Sequence, residues 1–392
     1  MTNTGPLKLI RVITRMNVGG PARHVTILTT RCAPEFDSVL LTGKPEQREG
    51  SLQEEAVEAG AHVVQVPHLR RPLSPVADLL AFIWLFRYLR RERPAIVATH
   101  TAKAGTLGRL AAALAGVPVI IHTFHGHVLD GYFGRLSSSF FLFVERFLGR
   151  LTTQFIAISP EIAADLDRMA IGRGKTTVVR LGLDLDQLTS HQGGRLRSDL
   201  GVPAGAPLVG IVGRLVPIKA HDLFLASAAM ITATRPDVHF AIVGDGELRD
   251  NLGDEVERAG LSDRVHFAGW RDDLAEVYAD LDIVVCCSRN EGTPVSVIEA
   301  CAACRPVIGT TVGGMTDIIA HGVNGLLIPA GDAQALSEAT LDLIADPNRR
   351  AAMGTSGRQM VLERYGSGRM VSELKRVYGR LIERAHVNVE TA

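Results

Sequence analysis

The stretch Ile283-Val-Val-Cys-Cys-Ser-Arg-Asn-Glu-Gly-Thr-Pro-Val-Ser-Val-Ile-Glu299 runs from an apolar strand, Ile283–Cys287, through a glycine loop into a helix. Gly292 lets backbone approach a ligand closely. Thr293 suits a helix N-cap and Pro294 the first helical position, where its missing N–H costs nothing. The free N–H groups of that first turn, including that of Val295, make an anion site. Glu299 falls about one and a half turns along, where a carboxylate can accept from two vicinal hydroxyls. Glu291 stands before the helix, facing whatever group the phosphates carry. Two glutamates at arbitrary spacing would be a loop residue and a solvated helix residue. The strand, Gly-Thr-Pro and helix around them reverse that reading.

Working outward, the same strand-then-helix rhythm fills the second half, with strands expected at Leu208–Val212, His239–Val243, Val265–Ala268, Ile283–Cys286, Pro306–Gly309 and Gly325–Ile328. The first half repeats it, with strands at Leu7–Ile13, Phe36–Leu41, His62–Val66, Ile96–Thr99, Pro118–Thr123 and Gln154–Ile158. Helical patterns such as Ala22–Arg31, Val76–Arg91 and Gly105–Ala115 lie between them. Strand and helix in alternation mark an α/β chain with parallel sheets covered on both faces. The rhythm lapses over 184–206, where glycines and prolines sit among polar residues. The expected organisation is an N-terminal Rossmann-like domain at 1–183, a linker and loop at 184–206, a second Rossmann-like domain at 207–365 and a terminal helix at 366–392. Two doubly wound domains of this kind bind ligand outside the C-terminal strand ends.

Other motifs sit at those ends. Gly213-Arg214-Leu-Val-Pro-Ile-Lys219 follows the second domain's first strand, and Arg214 and Lys219, with no acidic neighbour in the stretch, could neutralise a diphosphate. Gly244-Asp245-Gly246 and Val312-Gly-Gly-Met-Thr-Asp317 are glycine turns before helices, able to border a nucleotide or to serve as plain turns. In the first half, Gly19 and Gly20 follow the first strand without the Gly-x-Gly-x-x-Gly spacing of a nicotinamide or flavin site. His122-Thr-Phe-His125-Gly-His127 invites a zinc reading. Alternate strand residues point to opposite faces, however, and no acidic or cysteine cluster completes a ligand set. A strand-end histidine contacting a sugar hydroxyl is the better expectation. The pairs Asp165/Asp167, Asp184/Asp186 and Asp280/Asp282 lie at the wrong places for a metal-holding Asp-x-Asp, so no metal is expected. Cys301-Ala-Ala-Cys304 has no second pair and is read as packing.

Composition narrows the classes. Lys plus Arg and Asp plus Glu are 42 each, so no net field draws the chain to nucleic acid. The five cysteines form no disulfide framework and fit a reduced, cytoplasmic compartment. Residues 1–6 carry no signal peptide, and no stretch reaches the ~20 apolar residues of a membrane span. Trp84–Arg91 and Phe140–Phe147 mix apolar and basic residues as interfacial helices do, although ordinary amphipathic core helices look the same.

With these residues in place, the chain resembles the retaining glycosyltransferases of family four, which have the GT-B architecture of two facing Rossmann-like domains. The matching pieces are Gly213–Lys219, Val243–Glu247, Val265–Asp272, Ser288–Glu299, Pro306–Asp317 and Asn324–Pro329, in family order. The resemblance implies that Arg214 and Lys219 hold the donor diphosphate, Glu299 the ribose hydroxyls and Glu291 a donor-sugar hydroxyl. It implies His125 beside the reacting centre and Gly19-Gly20 near the phosphates. Gly213, Gly244, Asp245, Gly246, Trp270, Gly292, Thr293, Pro294 and Val295 complete the implied donor-binding set. The terminal helix of such enzymes runs back onto the first domain. The first half, at Asn17–His24 and His122–Gly131, looks like bacterial enzymes that extend lipid-linked surface polysaccharides.

The expected reaction is transfer of a hexose or N-acetylhexosamine from a nucleotide diphosphate sugar to a glycan or lipid-linked acceptor, without cofactor or metal. UDP is the family's commonest carrier. Peripheral contact with the inner face of the membrane fits such an acceptor. Two other readings stand on the same architecture: a sugar-nucleotide epimerase, and a silent sugar-nucleotide-binding partner subunit.

Overall fold

The computed structural model describes residues 5–45, 50–126, 135–172, 174–188 and 193–390, with only the backbone at 135–138, 140 and 386–390. The chain divides into two units, Met1–Leu183 with Ser367–Ala392, and Asp184–Gly366.

Unit 1 holds seven strands, β1 Leu7–Arg15, β2 Phe36–Gly43, β3 His62–Gln65, β4 Ile96–His100, β5 Val119–Phe124, β6 Gln154–Ala157 and β7 Thr176–Val178. They form one sheet in the order β3-β2-β1-β4-β5-β6-β7, and every pairing is parallel. Because side chains alternate across a strand, β1, β4 and β5 feed two cores. Leu9, Ile96, Ala98, Val119 and Ile121 pack beneath Ile27 and Leu28 of the helix Gly20–Arg31. Ile10, Val12, Val97 and Ile120 pack on the other face against Ala81, Leu85 and Leu89 of the helix Pro75–Glu92 and Ala104, Ala111 and Ala112 of the helix Ala102–Ala115.

The long helical stretch at the C-terminus breaks at Gly366 into Pro347–Tyr365 and Ser367–Glu390. Met370, Leu374, Tyr378 and Leu381 of the second helix form one apolar stripe inside the first of those cores. Its start is fastened by Ser367, whose N–H donates to the Leu183 carbonyl at 3.0 Å and whose hydroxyl accepts from Arg31 at 2.8 Å.

Unit 2 holds β8 Leu208–Val212, β9 His239–Val243, β10 Val265–Gly269, β11 Ile283–Cys286, β12 Val307–Thr310 and β13 Gly325–Ile328, in the order β10-β9-β8-β11-β12-β13 and all parallel. That is the dinucleotide-fold order, and it reverses between β8 and β11. Residues 184–206 belong to this unit. They contain a short turn of helix at Asp186–Leu188 and the helix Arg195–Leu200. The pair Asp280/Asp282 holds this segment in place: Asp280 accepts from the N–H of Gly194 and of Arg197, and Asp282 accepts from the Arg197 guanidinium and the Leu208 N–H, both at 2.8 Å. No helix among the described residues is long and apolar enough to cross a membrane.

Candidate active site

The order reversal in unit 2 opens a crevice where the loops after β8 and β11 diverge. Both loops carry expected site residues, and they are stitched together. The Arg289 N–H donates to the Ile218 carbonyl at 2.8 Å, and its guanidinium reaches the Pro217 carbonyl at 2.5 Å and Asp222 at 2.6 Å. The stitching brings Lys219 Nζ to within 2.5 Å of Glu291 Oε1. The sequence stretch around Lys219 shows no acidic neighbour; the fold supplies one from seventy-two residues away. Burial works against the Lys219 ammonium, but Glu291 outweighs it and holds the pKa above its ordinary value. Ser288 donates to the same Glu291 oxygen at 2.6 Å, and the Ser288 carbonyl is fixed by Thr310 of β12 at 2.7 Å. Ser288 was not singled out in the sequence, although its place three residues before Glu291 at a strand end is the signal.

Gly313 and Gly314 are required by close approach. A Cβ on them would stand 1.8 Å from the Glu291 carbonyl and 2.0 Å from that of Gly292, and the Gly314 N–H donates to the former at 3.1 Å. The Val312–Asp317 turn thus backs the Glu291 loop. Gly244 plays the same part beside β8: its φ is 132° and a Cβ would lie 2.0 Å from the Gly213 carbonyl. The Leu215 N–H donates to the Asp245 carbonyl at 3.0 Å and the Gly244 N–H to that of Gly269 at 2.8 Å, so the loops holding Gly213, Gly246 and Trp270 run side by side. Arg214 and Trp270 are exposed there.

The helix after Gly292 starts one residue later than the sequence suggests. It spans Val295–Ala302 with Pro294, φ −72° and ψ 103°, as its N-cap, so Thr293 does not cap it and Pro294 is not its first helical residue. Thr293 Oγ1 is buried without a hydrogen-bond partner in the structure. A buried, unpaired hydroxyl beside unsatisfied helix N–H groups suits a polar ligand. Glu299, the fifth residue of the helix, is buried and accepts from the Tyr278 hydroxyl at 3.0 Å, a partner the sequence did not reveal.

In unit 1, Gly19 and Gly20 open the helix Gly20–Arg31, Gly19 as its N-cap. His125 follows β5, and its Nε2 lies 3.0 Å from His100 Nδ1 at the end of β4. The His24 ring packs edge-on against His125 at 4.8 Å between centroids. Burial pushes the His125 pKa down to about 4. His122 points the other way, its Nδ1 2.8 Å from Thr99 Oγ1, and His127 lies outside the described residues. His24 and His100 escaped notice because nothing in the sequence links them; His100's place at the end of the strand next to β1 was the available clue. Asp165 pairs with Arg168, and burial pushes the Cys301 thiol up to about 12, which keeps it unreactive.

Two family models match: residues 19–182 the Glycosyl transferase 4-like domain, and residues 194–360 the Glycosyl transferases group 1. The 2-deoxystreptamine N-acetyl-D-glucosaminyltransferase of Streptomyces fradiae is 31% identical over 322 residues, covering 77% of this chain and 76% of that one. The chain belongs to the group 1 glycosyltransferases, of the family-four type. This glycosyltransferase is also 29% identical over 320 residues to the UDP-Gal:alpha-D-GlcNAc-diphosphoundecaprenol alpha-1,3-galactosyltransferase of Escherichia coli, covering 80% of this chain and 82% of that one. The crystal structure of Anabaena HepE in complex with UDP superposes with a TM-score of 0.83 at 21% identity, over 95% of this chain and 100% of that one. The glycosyltransferase therefore has two Rossmann-like domains of the GT-B class.

Proposed function

We propose that this glycosyltransferase moves a hexose or N-acetylhexosamine from a UDP-sugar to a glycan or lipid-linked acceptor in bacterial surface-polysaccharide assembly, with retention of anomeric configuration and without a metal ion. The observation that carries the reading is the Lys219–Glu291 pair joining the loops after β8 and β11, with the unpaired Thr293 hydroxyl and a helix N-terminus two and four residues beyond Glu291. The E. coli relative is named for UDP-galactose and a diphosphoundecaprenol-linked acceptor, and HepE is a UDP complex, which favours uridine and a lipid-linked acceptor here.

In this reading Arg214, Lys219 and the N–H groups after Pro294 stabilise the diphosphate as the anomeric C–O bond breaks and its electron pair passes to the phosphate oxygen. The acceptor hydroxyl adds to the same face of the oxocarbenium-like sugar, and its proton passes to that phosphate oxygen. The chain then needs neither a carboxylate nucleophile nor a cation. Glu291 takes a sugar hydroxyl, Glu299 the ribose hydroxyls, and Gly213, Gly244, Asp245, Gly246, Trp270, Gly292 and Val295 border the nucleotide. In unit 1, His125 serves the reacting sugar through a ring that stays neutral at physiological pH, and Gly19-Gly20 offers backbone N–H groups to phosphate.

We further propose peripheral membrane contact through the helix Pro75–Glu92. Of the Trp84–Arg91 stretch, Leu85 and Leu89 are core and Trp84 stacks on Tyr88 at 4.9 Å. The exposed apolar residues lie earlier, at Leu73, Val76, Leu79, Leu80 and Ile83, with exposed Arg70, Arg87 and Arg90 at either end. An apolar stripe between cations suits an anionic bilayer surface.

The reaction is tested by NMR of products formed from UDP-hexoses and a polyprenyl-diphosphate-linked sugar in EDTA. An α-linked product from an α-linked donor is expected. A β-linked product would contradict retention, an isomerised sugar formed without acceptor would make the protein an epimerase, and no turnover of a bound donor would make it a silent partner.

A further inference from the structure

The first sheet also reverses its order, between β1 and β4, and three imidazoles from separate elements meet there. His24 lies in the helix Gly20–Arg31, His100 ends β4 and His125 follows β5. One ring nitrogen of each lies within 4.8 Å of the other two. Among the described residues one hydrogen bond links the rings, between His100 Nδ1 and His125 Nε2, while both nitrogens of His24 and Nε2 of His100 are buried with no partner. An unpaired buried polar atom costs about 1–3 kcal/mol, so the unpaired His24 ring beside the His100–His125 pair favours a ligand that takes up one of its nitrogens.

We infer that His24, His100 and His125 form a binding site for a late first-row divalent cation, zinc foremost, and that the bound ion inhibits transfer. Imidazole nitrogen is the donor such ions share, and three protein ligands with an open fourth position are a familiar zinc arrangement. At metal–nitrogen distances of about 2.0–2.1 Å the ring nitrogens of a tetrahedral site stand roughly 3.4 Å apart. The His100–His125 pair, at 3.0 Å, is already close to that, and side-chain rotation closes the remainder toward His24. The inhibition rests on the role proposed for His125, because ligation takes up the ring that would face the sugar; the binding does not.

The test is equilibrium dialysis of the EDTA-stripped full chain against zinc chloride, with cobalt(II) as a spectroscopic substitute. One zinc per chain is expected, bound at least about tenfold more weakly by His24→Gln and His100→Gln. The His266→Gln control, which breaks the His239–His266 pair of unit 2 at 2.9 Å, should bind zinc as the wild type does. Far-UV circular dichroism and UDP binding establish that each variant is folded. Should the unit 1 variants not fold, wild-type cobalt spectra decide: a strong four-coordinate band supports the site, and the weak six-coordinate spectrum of a surface ion overturns it. Absence of stoichiometric zinc on folded wild type, or its persistence in both unit 1 variants, overturns the site. Zinc-loaded protein as active as EDTA-treated protein overturns the inhibition.

Discussion

Lys219 keeps its charge under cover because Glu291 lies 2.5 Å away, and Glu291 keeps its orientation because Ser288 holds the same oxygen. Arg214 stands exposed at the rim of the same loop. A charge-assisted contact to the leaving diphosphate is worth about 1.5–3 kcal/mol, or roughly tenfold or more in rate. Arg214→Ala and Lys219→Ala should therefore each lower kcat by about tenfold or more with the melting temperature checked alongside; near-normal turnover in both would remove the phosphate assignment. A pH effect belongs to the neighbouring His221, whose pKa burial and the Lys219 charge depress to about 4 and whose ring nitrogens have no partner. The native ring is neutral while the unfolded chain takes a proton below about pH 6.5, so stability is full above that value and falls as pH drops toward 4. His221's share of the loss should reach about 2 kcal/mol by pH 5, added to the shares of the buried His24, His100 and His125 of unit 1. Urea titrations at pH 7.5 and pH 5 should show this loss, and His221→Leu should reduce it. Glu291 and Glu299 were legible because a strand, a glycine and a helix surround them. Tyr278, Ser288 and the acidic partner of Lys219 were not, because contacts across loops leave no local pattern.

Elements were legible where periodicity is strong. Twelve of the thirteen strands among the described residues were foreseen, each a short run rich in apolar residues; β7, Thr176–Val178, was not, being three half-buried edge residues with no alternation to read. The extended ψ of Pro294 moved a helix start that composition alone would put earlier. Asp280/Asp282, unassigned in the sequence, act as anchors for the helix Arg195–Leu200. The helix Pro75–Glu92 gives a prediction of its own. Its exposed Leu79 and Ile83 should insert at an anionic bilayer surface, where burying such a side chain is worth about 1.5–3 kcal/mol. Leu79→Asp with Ile83→Asp should cut partition onto anionic vesicles by at least about tenfold. Equal partition of variant and wild type in cosedimentation would remove this helix from the membrane.

At the scale of the molecule, each unit has its own sheet, its own cores and its own point where the strand order reverses. The second unit holds Lys219, Glu291, Thr293 and Glu299 on its own loops and helices. Nucleotide should therefore bind without acceptor and without metal. The most direct test is thermal melting of the full chain with UDP, GDP, ADP and TDP in EDTA. A ligand that binds only the folded state adds about 2.7 kcal/mol at a hundredfold excess over Kd. The account expects a selective rise with UDP that is lost in Glu299→Ala. No rise with any of the four, in protein shown to be folded, would contradict it.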